Sequence, residues 1–163
     1  MKSLKRILFV EDSVRDAELI LDALAENQFA NAVDHVRDGA EALDYLYRRG
    51  EFSQRAEVQP ALILLDLKLP KVDGLEVLRQ IKGDQALKCI PVVMMTSSRE
   101  ESDLVRSYEF GVNAYVVKPM NFHDFVSAVK QVGAFWAVLN EVPDSSRRDS
   151  ASPAKVVAPG DRP

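Results

Sequence analysis

Two unbroken apolar runs, residues 61–65 and 91–95, constrain the fold of this chain more than any other feature. Short runs without polar interruption are typical of strands covered on both faces, as in a parallel sheet flanked by helices. Three further strands are predicted at residues 7–10, 32–36 and 114–117.

Helical periodicity fills the intervals between these strands. Helices are predicted over residues 14–27, 40–48, 75–82 and 100–110, and a last one from Asn121 or Asp124 to about residue 140. Ser13 is expected to cap the first helix and Gly111 to end the fourth. Residues 49–60 are polar and predicted to form a surface loop, with a helical extension as the alternative. Strand–helix units repeated in series predict an α/β fold, a doubly wound five-stranded parallel sheet with five helices.

Length and composition indicate one domain, predicted over residues 1–142, followed by a tail over residues 143–163 that is predicted to be disordered. The formal net charge of -4 gives no attraction to nucleic acid or anionic membrane. The single cysteine, Cys89, cannot form an internal disulfide. Glu11 and Asp12 end the first apolar run before it reaches the length of a signal peptide. We therefore expect a cytoplasmic protein that binds neither nucleic acid nor membrane.

Polar side chains follow four of the predicted strands. Glu11 and Asp12 follow the first, Asp66 the third, Thr96 the fourth and Lys118 the fifth. Because ligands of such folds bind beyond the carboxyl ends of the strands, these residues are expected to meet at one edge. Three clustered carboxylates repel one another unless a cation joins them, and Mg²⁺ prefers oxygen ligands. A carboxylate beside a metal ion, an ammonium and a hydroxyl suits phosphoryl transfer.

Each of these residues also has an ordinary structural interpretation. The acidic pair could cap a helix or lie in solvent, and Asp66 could be a turn residue before Pro70. Thr96 could cap the next helix, and Lys118 could belong to an exposed loop. Only their coincidence at successive strand ends favours the functional interpretation.

Four stretches, ILFVEDS, LILLDLKLPKVDGLEVL, IPVVMMTSS and AYVVKP, occur in this order. With them, residues 4–140 resemble the receiver domains of two-component response regulators. The resemblance implies a flavodoxin-like fold with strand order 2-1-3-4-5. It also implies a signalling switch that catalyses only its own phosphorylation and dephosphorylation.

The resemblance implies a role for each site residue. Asp66 is the expected phosphoacceptor and Lys118 the partner of a phosphoryl oxygen. Thr96 is expected to move towards the phosphoryl group, and Tyr115 to swing inward behind it. The Mg²⁺ ligands are expected to be Glu11, Asp12, Asp66 and the backbone carbonyl of Lys68. The pair Glu-Asp replaces the commoner Asp-Asp, and the Lys at position 68 is expected to alter the lifetime of the phosphoryl group.

The stretches DGAEALDYL and SYEFGVNAYVVKP and the pair Phe135-Trp136 resemble response regulators of bacterial phytochrome kinases in particular. This likeness implies a sensor histidine kinase partner, a bacteriophytochrome, and a homodimer formed through the fourth helix, fifth strand and fifth helix. The last helix carries more apolar residues than one buried face requires, which also favours a dimer. The downstream target is expected to be another protein whose identity the sequence does not give.

Other functions have weaker support. A phosphorelay intermediate or a phosphate sink uses the same site. A binding-only receiver keeps the fold without phosphorylation. A phosphatase of the haloacid dehalogenase type needs an acid two residues after its nucleophile, where this chain has Lys68. A flavin-binding module needs a hydroxyl-rich loop after the first strand, which is missing.

Overall fold

A parallel five-stranded sheet organises the computed structural model, which describes residues 5–26 and 33–141. The strand order is β2-β1-β3-β4-β5, which confirms the predicted fold class. The strands are β1 (Ile7–Val10), β2 (Val33–Val36), β3 (Leu62–Leu65), β4 (Val92–Thr96) and β5 (Ala114–Val117). The helices are α1 (Val14–Glu26), α2 (Gly39–Tyr47), α3 (Gly74–Gly83), α4 (Glu101–Glu109) and α5 (Phe122–Gly133).

Both faces of the sheet are covered, which explains the unbroken apolar runs. Alternate residues of each central strand enter opposite hydrophobic cores. Ile63 and Leu65 of β3 pack with residues of α2 and α3, whereas Leu62 and Leu64 pack with residues of α1 and α5. Since full burial of one such side chain contributes about 1.5–3 kcal/mol, a polar residue at these positions would be costly.

Side-chain caps set the starts of several helices. Ser13 Oγ accepts a hydrogen bond from the Asp16 amide at 3.3 Å, which confirms the predicted cap of α1. Asn121 Oδ1 accepts from the amides of His123 and Asp124, so Asn121 caps α5 and the alternative start at Asp124 is wrong. The α-helix ends at Gly133, and the predicted extension towards residue 140 continues instead as the π-helical segment Ala134–Leu139.

Two further expectations concern segment ends. The loop over residues 49–60 contains a short 3-10 helix, Gly50–Phe52, so the alternative of a helical extension is confirmed. Gly111 follows α4 with φ +93°, a conformation that suits glycine and ends the helix as predicted. The predicted tail over residues 143–163 and the predicted element ends at residues 27 and 32 lie outside the described residues. Within the described ranges, every helix is too short or too polar to cross a membrane.

The loop from β3 to α3 passes very close to the backbone of Gly74. The Gly74 amide donates to the Leu67 carbonyl at 2.7 Å. A Cβ atom built on Gly74 would lie 2.1 Å from the carbonyl oxygen of Asp66 and 2.8 Å from Leu67 Cα. Both obstacles are backbone atoms, so only glycine fits without displacing the residue that follows β3.

We therefore expect Gly74→Ala to lower the free energy of unfolding by about 2 kcal/mol, because a methyl group is forced against fixed backbone. Urea denaturation measures the change. Gly83→Ala is the matched control, since nothing lies within 4 Å of a Cβ built there. The control should unfold at the same or slightly higher urea concentration. Equal stability of the two variants would show that the close approach is relaxed in solution.

Candidate active site

The site residues stand directly beyond the carboxyl ends of the strands, and backbone hydrogen bonds hold them there. The Asp66 amide donates to the Val10 carbonyl at 3.1 Å, and the Lys118 amide donates to the Thr96 carbonyl at 2.7 Å. These bonds extend the pairing of neighbouring strands by one residue. The sheet therefore fixes the positions from which the side chains project.

The ammonium group of Lys118 lies at the centre of this site. It donates to Glu11 Oε2 at 2.9 Å, Asp16 Oδ2 at 2.9 Å and Asp66 Oδ2 at 3.0 Å. Glu11 and Asp66 are only 2% and 8% exposed. Buried carboxylates are costly unless they are paired, and one buried ammonium here pairs with several of them. The fold thus brings together residues from the two ends of the chain that were predicted to meet.

Glu11, Asp12 and Asp66 form a group that suits a divalent cation. Each offers a carboxylate oxygen, and these oxygens lie within 4.8 Å of one another. Asp12 is exposed, which leaves one side of the group open to solvent. Three hard oxygen donors with an open side fit Mg²⁺, which usually retains water or phosphate oxygens in its coordination shell.

Lys68 lies beside the carboxylate group. Its side chain is exposed and lines, with Asp12 and Arg106, an open groove of about 570 Å³. The Lys68 ammonium therefore places a positive charge in the groove that leads to Asp12. The role of the Lys68 backbone carbonyl as a metal ligand stays a prediction.

The pKa values of two groups reflect the crowded charges. Burial, followed by the nearby carboxyl of Asp66, raises the pKa of Glu11 to about 8, although Lys118 opposes the shift. Burial alone would lower the pKa of Lys118, but the hydrogen bond to Asp16 and the charges of Asp66 and Glu11 raise it above its usual value. Without a metal ion, these shifts favour the protonated form of Glu11 and the charged form of Lys118.

Thr96 and Tyr115 are connected through Ser98. Thr96 Oγ1 accepts a hydrogen bond from the Ser98 amide at 3.2 Å, and the Tyr115 hydroxyl donates to the Ser98 carbonyl at 3.1 Å. Ser98 Oγ also donates to Asp103 Oδ2 in the first turn of α4 at 2.6 Å. Both predicted switch residues are therefore bound to the same loop residue, which is in turn bound to α4.

Asp16 was missed by the sequence analysis, although it contacts Lys118 directly. An acid in the first turn of a helix is favoured by the helix dipole, so its presence needs no partner to explain it. The pair is separated by 102 residues in the sequence. Only the packing of α1 beside the end of β5 brings the two side chains together.

Comparison with known proteins identifies close relatives. The family model for the response regulator receiver domain matches residues 7–130. Response regulator Rcp1 of Synechocystis sp. is 42% identical over 132 residues, which are 81% of this chain and 88% of that protein. The crystal structure of the Mn²⁺-bound form of Rcp1 superposes with a TM-score of 0.78, at 40% identity over 86% of this chain and 99% of that one.

Two more solved structures of response regulators are similar to this chain. The phosphorylated cyanobacterial phytochrome response regulator RcpA is 43% identical with a TM-score of 0.81, over 87% of this chain and 100% of that chain. The bacteriophytochrome response regulator RtBRR is 62% identical with a TM-score of 0.70, over 88% of this chain and 87% of that chain.

The raised pKa of Glu11 predicts a pH-dependent affinity for Mg²⁺. In its predicted role as a metal ligand, Glu11 would have to lose this proton, so the affinity should rise as the pH approaches about 8 and level off above it. Below that value the affinity should fall by up to about tenfold per pH unit. Isothermal titration calorimetry with MgCl₂ at several pH values measures this dependence.

Glu18→Gln, an exposed acid of α1, is the matched control and should keep the pH dependence. Glu11→Gln should bind Mg²⁺ more weakly and lose most of the dependence below pH about 8. An affinity that is constant between pH about 6.5 and about 8.5 in the unaltered protein would contradict the assignment of the proton.

Proposed function

Because the chain belongs to the response regulator receiver domain family, we propose that it is a phosphorylation switch in which Asp66 accepts a phosphoryl group from a sensor histidine kinase. The observation that carries this proposal is the buried Asp66 carboxylate, which contacts Lys118 and lies within the Glu11–Asp12 carboxylate group. A surface turn residue would need neither the burial nor the buried cation.

The two oxygens of Asp66 are held differently. Oδ1 accepts from the Leu67 amide at 2.7 Å, and Oδ2 accepts from Lys118. One of these oxygens forms the new bond to phosphorus while the bond between phosphorus and the kinase histidine nitrogen breaks, and the imidazole leaves with the bonding electrons. Lys118 supplies positive charge next to the oxygens of the transferred group.

Glu11, Asp12 and Asp66 are the residues that would hold Mg²⁺. When bound, the ion offsets the repulsion between the carboxylates and the phosphoryl oxygens. Glu11 would hold the ion as a carboxylate, and Asp12, the exposed member of the group, would hold it from the side open to solvent. Thr96 and the exposed ammonium of Lys68 are the remaining polar groups that would act on the phosphoryl group and set its lifetime.

The output pathway runs through Ser98. Phosphorylation adds about -1.5 to -2 charge at Asp66, which favours movement of the Thr96 hydroxyl towards it. That movement would break the bond between Thr96 Oγ1 and the Ser98 amide. The same loop residue holds Tyr115 and Asp103, so the rearrangement would reach the ring of Tyr115 and the first turn of α4 together. Phosphorylation would thus shift the populations of two existing arrangements, one with Thr96 bound to Ser98 and one with Thr96 turned towards Asp66.

The proposed kinase partner is a bacteriophytochrome. Support comes from the 62% identity to a bacteriophytochrome response regulator and the 43% identity to a cyanobacterial phytochrome response regulator. The protein would receive the phosphoryl group from that kinase and pass the signal to an unidentified protein. Use as a phosphorelay intermediate or a phosphate sink is the alternative, because it requires the same site chemistry.

The proposed homodimer uses the β5 edge of the sheet. Several apolar side chains of α4 and α5 are exposed there, whereas Phe125 and Val129 of α5 enter the core. Among the described residues, the large apolar side chains exposed on these helices and the following segment are Leu104, Val105, Tyr108, Phe122 and Phe135. Apolar side chains grouped on a surface are unfavourably exposed to water. A second copy of the chain would cover them.

Labelling with a small acyl phosphate tests the proposed reaction. In the presence of MgCl₂ the protein should gain one phosphoryl group, measured by intact mass. Asp66→Asn should remove the labelling, and chelation of Mg²⁺ should do the same, because the nucleophile or the charge compensation is lost. Asp22→Asn, an exposed acid of α1, is the control and should be labelled normally. Labelling of Asp66→Asn at the normal rate would refute the assignment.

Light scattering at micromolar protein concentration tests the homodimer, with and without acyl phosphate. Tyr108→Asp places a charge on the exposed face of α4 and should give a monomer. Val58→Asp is the control, because Val58 is also exposed but lies near β2, at the opposite edge of the sheet. A monomeric unaltered protein in both states, or dissociation by Val58→Asp alone, would show that this surface has another use.

A further inference from the structure

All three N–H donors of the Lys118 ammonium are engaged in hydrogen bonds. A lysine ammonium carries three donors, and here they are directed to Glu11, Asp16 and Asp66 at 2.9, 2.9 and 3.0 Å. An oxygen of a phosphoryl group on Asp66 can therefore bind Lys118 only if one of these bonds is released. The strength of the bond to be released sets how readily Lys118 turns to the phosphoryl group.

The three carboxyl groups that accept hydrogen bonds from Lys118 have different parts in the proposed reaction. Asp66 becomes the modified residue, and Glu11 belongs to the group of carboxylates whose oxygens lie within 4.8 Å of one another. Asp16 is outside that group of described residues. Of the three bonds to Lys118, the one to Asp16 thus involves neither a proposed metal ligand nor the proposed phosphoacceptor.

Asp16 is also fixed in position. Its amide donates to Ser13 Oγ in the cap of α1, and the start of the helix favours its negative charge. Its side chain is 31% exposed and lines, with Lys118 and Met120, a cavity of about 230 Å³. This cavity is separate from the groove that Asp12 and Lys68 line.

We propose that Asp16 is a positioning residue that holds the Lys118 ammonium in the unphosphorylated arrangement and competes with the phosphoryl oxygens for it. The inference rests on the proposed phosphorylation of Asp66. A carboxylate that already binds the ammonium lowers the gain from pairing Lys118 with the phosphoryl group, and its charge repels that group as well. Both effects have the same sign, so removal of the Asp16 charge stabilises the phosphorylated arrangement.

Beryllofluoride, which bonds to a carboxylate oxygen and imitates a phosphoryl group, provides the test at saturating Mg²⁺. Isothermal titration calorimetry on the full chain should show that Asp16→Asn binds beryllofluoride about two- to fivefold more tightly than the unaltered protein, the range expected when one partner of an ion pair is partly exposed to solvent. Asp16→Glu keeps the charge and should return the affinity towards the original value. Asp22→Asn, the same change of an exposed acid on α1, should have no effect.

Tighter binding distinguishes competition from a merely structural role, because loss of local structure would weaken the affinity. Unchanged or weaker binding by Asp16→Asn overturns this inference while leaving the proposed phosphorylation intact. Failure of the unaltered protein to bind beryllofluoride with Mg²⁺ overturns the proposed function, and this inference with it.

Discussion

The hydrogen bonds of the buried Lys118 ammonium to the carboxylates of Glu11, Asp16 and Asp66 are the interaction on which the rest of the site depends. Without that cation, the nearly buried carboxyl groups of Glu11 and Asp66 would have lost their charged partner, and each buried charge left uncompensated costs several kcal/mol. The parallel sheet makes the arrangement accessible, because β1, β3 and β5 end at one edge. The ammonium of Lys118 only partly compensates the negative charge of the surrounding acids. A divalent cation is favoured at such a site.

Hydrogen bonds connect the site to the surface of α4 at the same edge of the sheet. Ser98 contacts the Thr96 hydroxyl, the Tyr115 hydroxyl and the Asp103 carboxylate, and it is buried at the start of the loop into α4. In the proposed switch, phosphorylation of Asp66 would draw the Thr96 hydroxyl away from the Ser98 amide, and Ser98 would then be freer to change its contacts with Tyr115 and Asp103. The exposed apolar side chains of α4 lie directly beyond Asp103 in the same helix. Ser98 is thus the residue through which the proposed phosphorylation and the proposed homodimer would be coupled.

The sequence was sufficient for the order and type of the elements, because strands buried on both faces produce apolar runs that solvent-facing segments do not. Apart from the end of α5, the observed ends of the described helices and strands differ from the predicted ends by about one residue, as fraying and capping allow. The start of α5 could not be chosen, because Asn121 and Asp124 are both capping residues and only the fold shows which side chain reaches the free amides. The π-helical continuation after Gly133 has no signal in a pattern of period 3.6. The convergence of the strand-end residues followed from topology, whereas the contact of Asp16 depended on helix packing.

Of the three acids that bind Lys118, the proposed function requires that Asp66 is the one that becomes phosphorylated. Reduction of the phosphorylated protein with borohydride converts an aspartyl phosphate to homoserine, and peptide mass spectrometry locates the altered residue. Homoserine at position 66 alone is the predicted result. Homoserine at Asp12, Asp16 or Asp73, or a phosphoryl group on a histidine, would contradict the account.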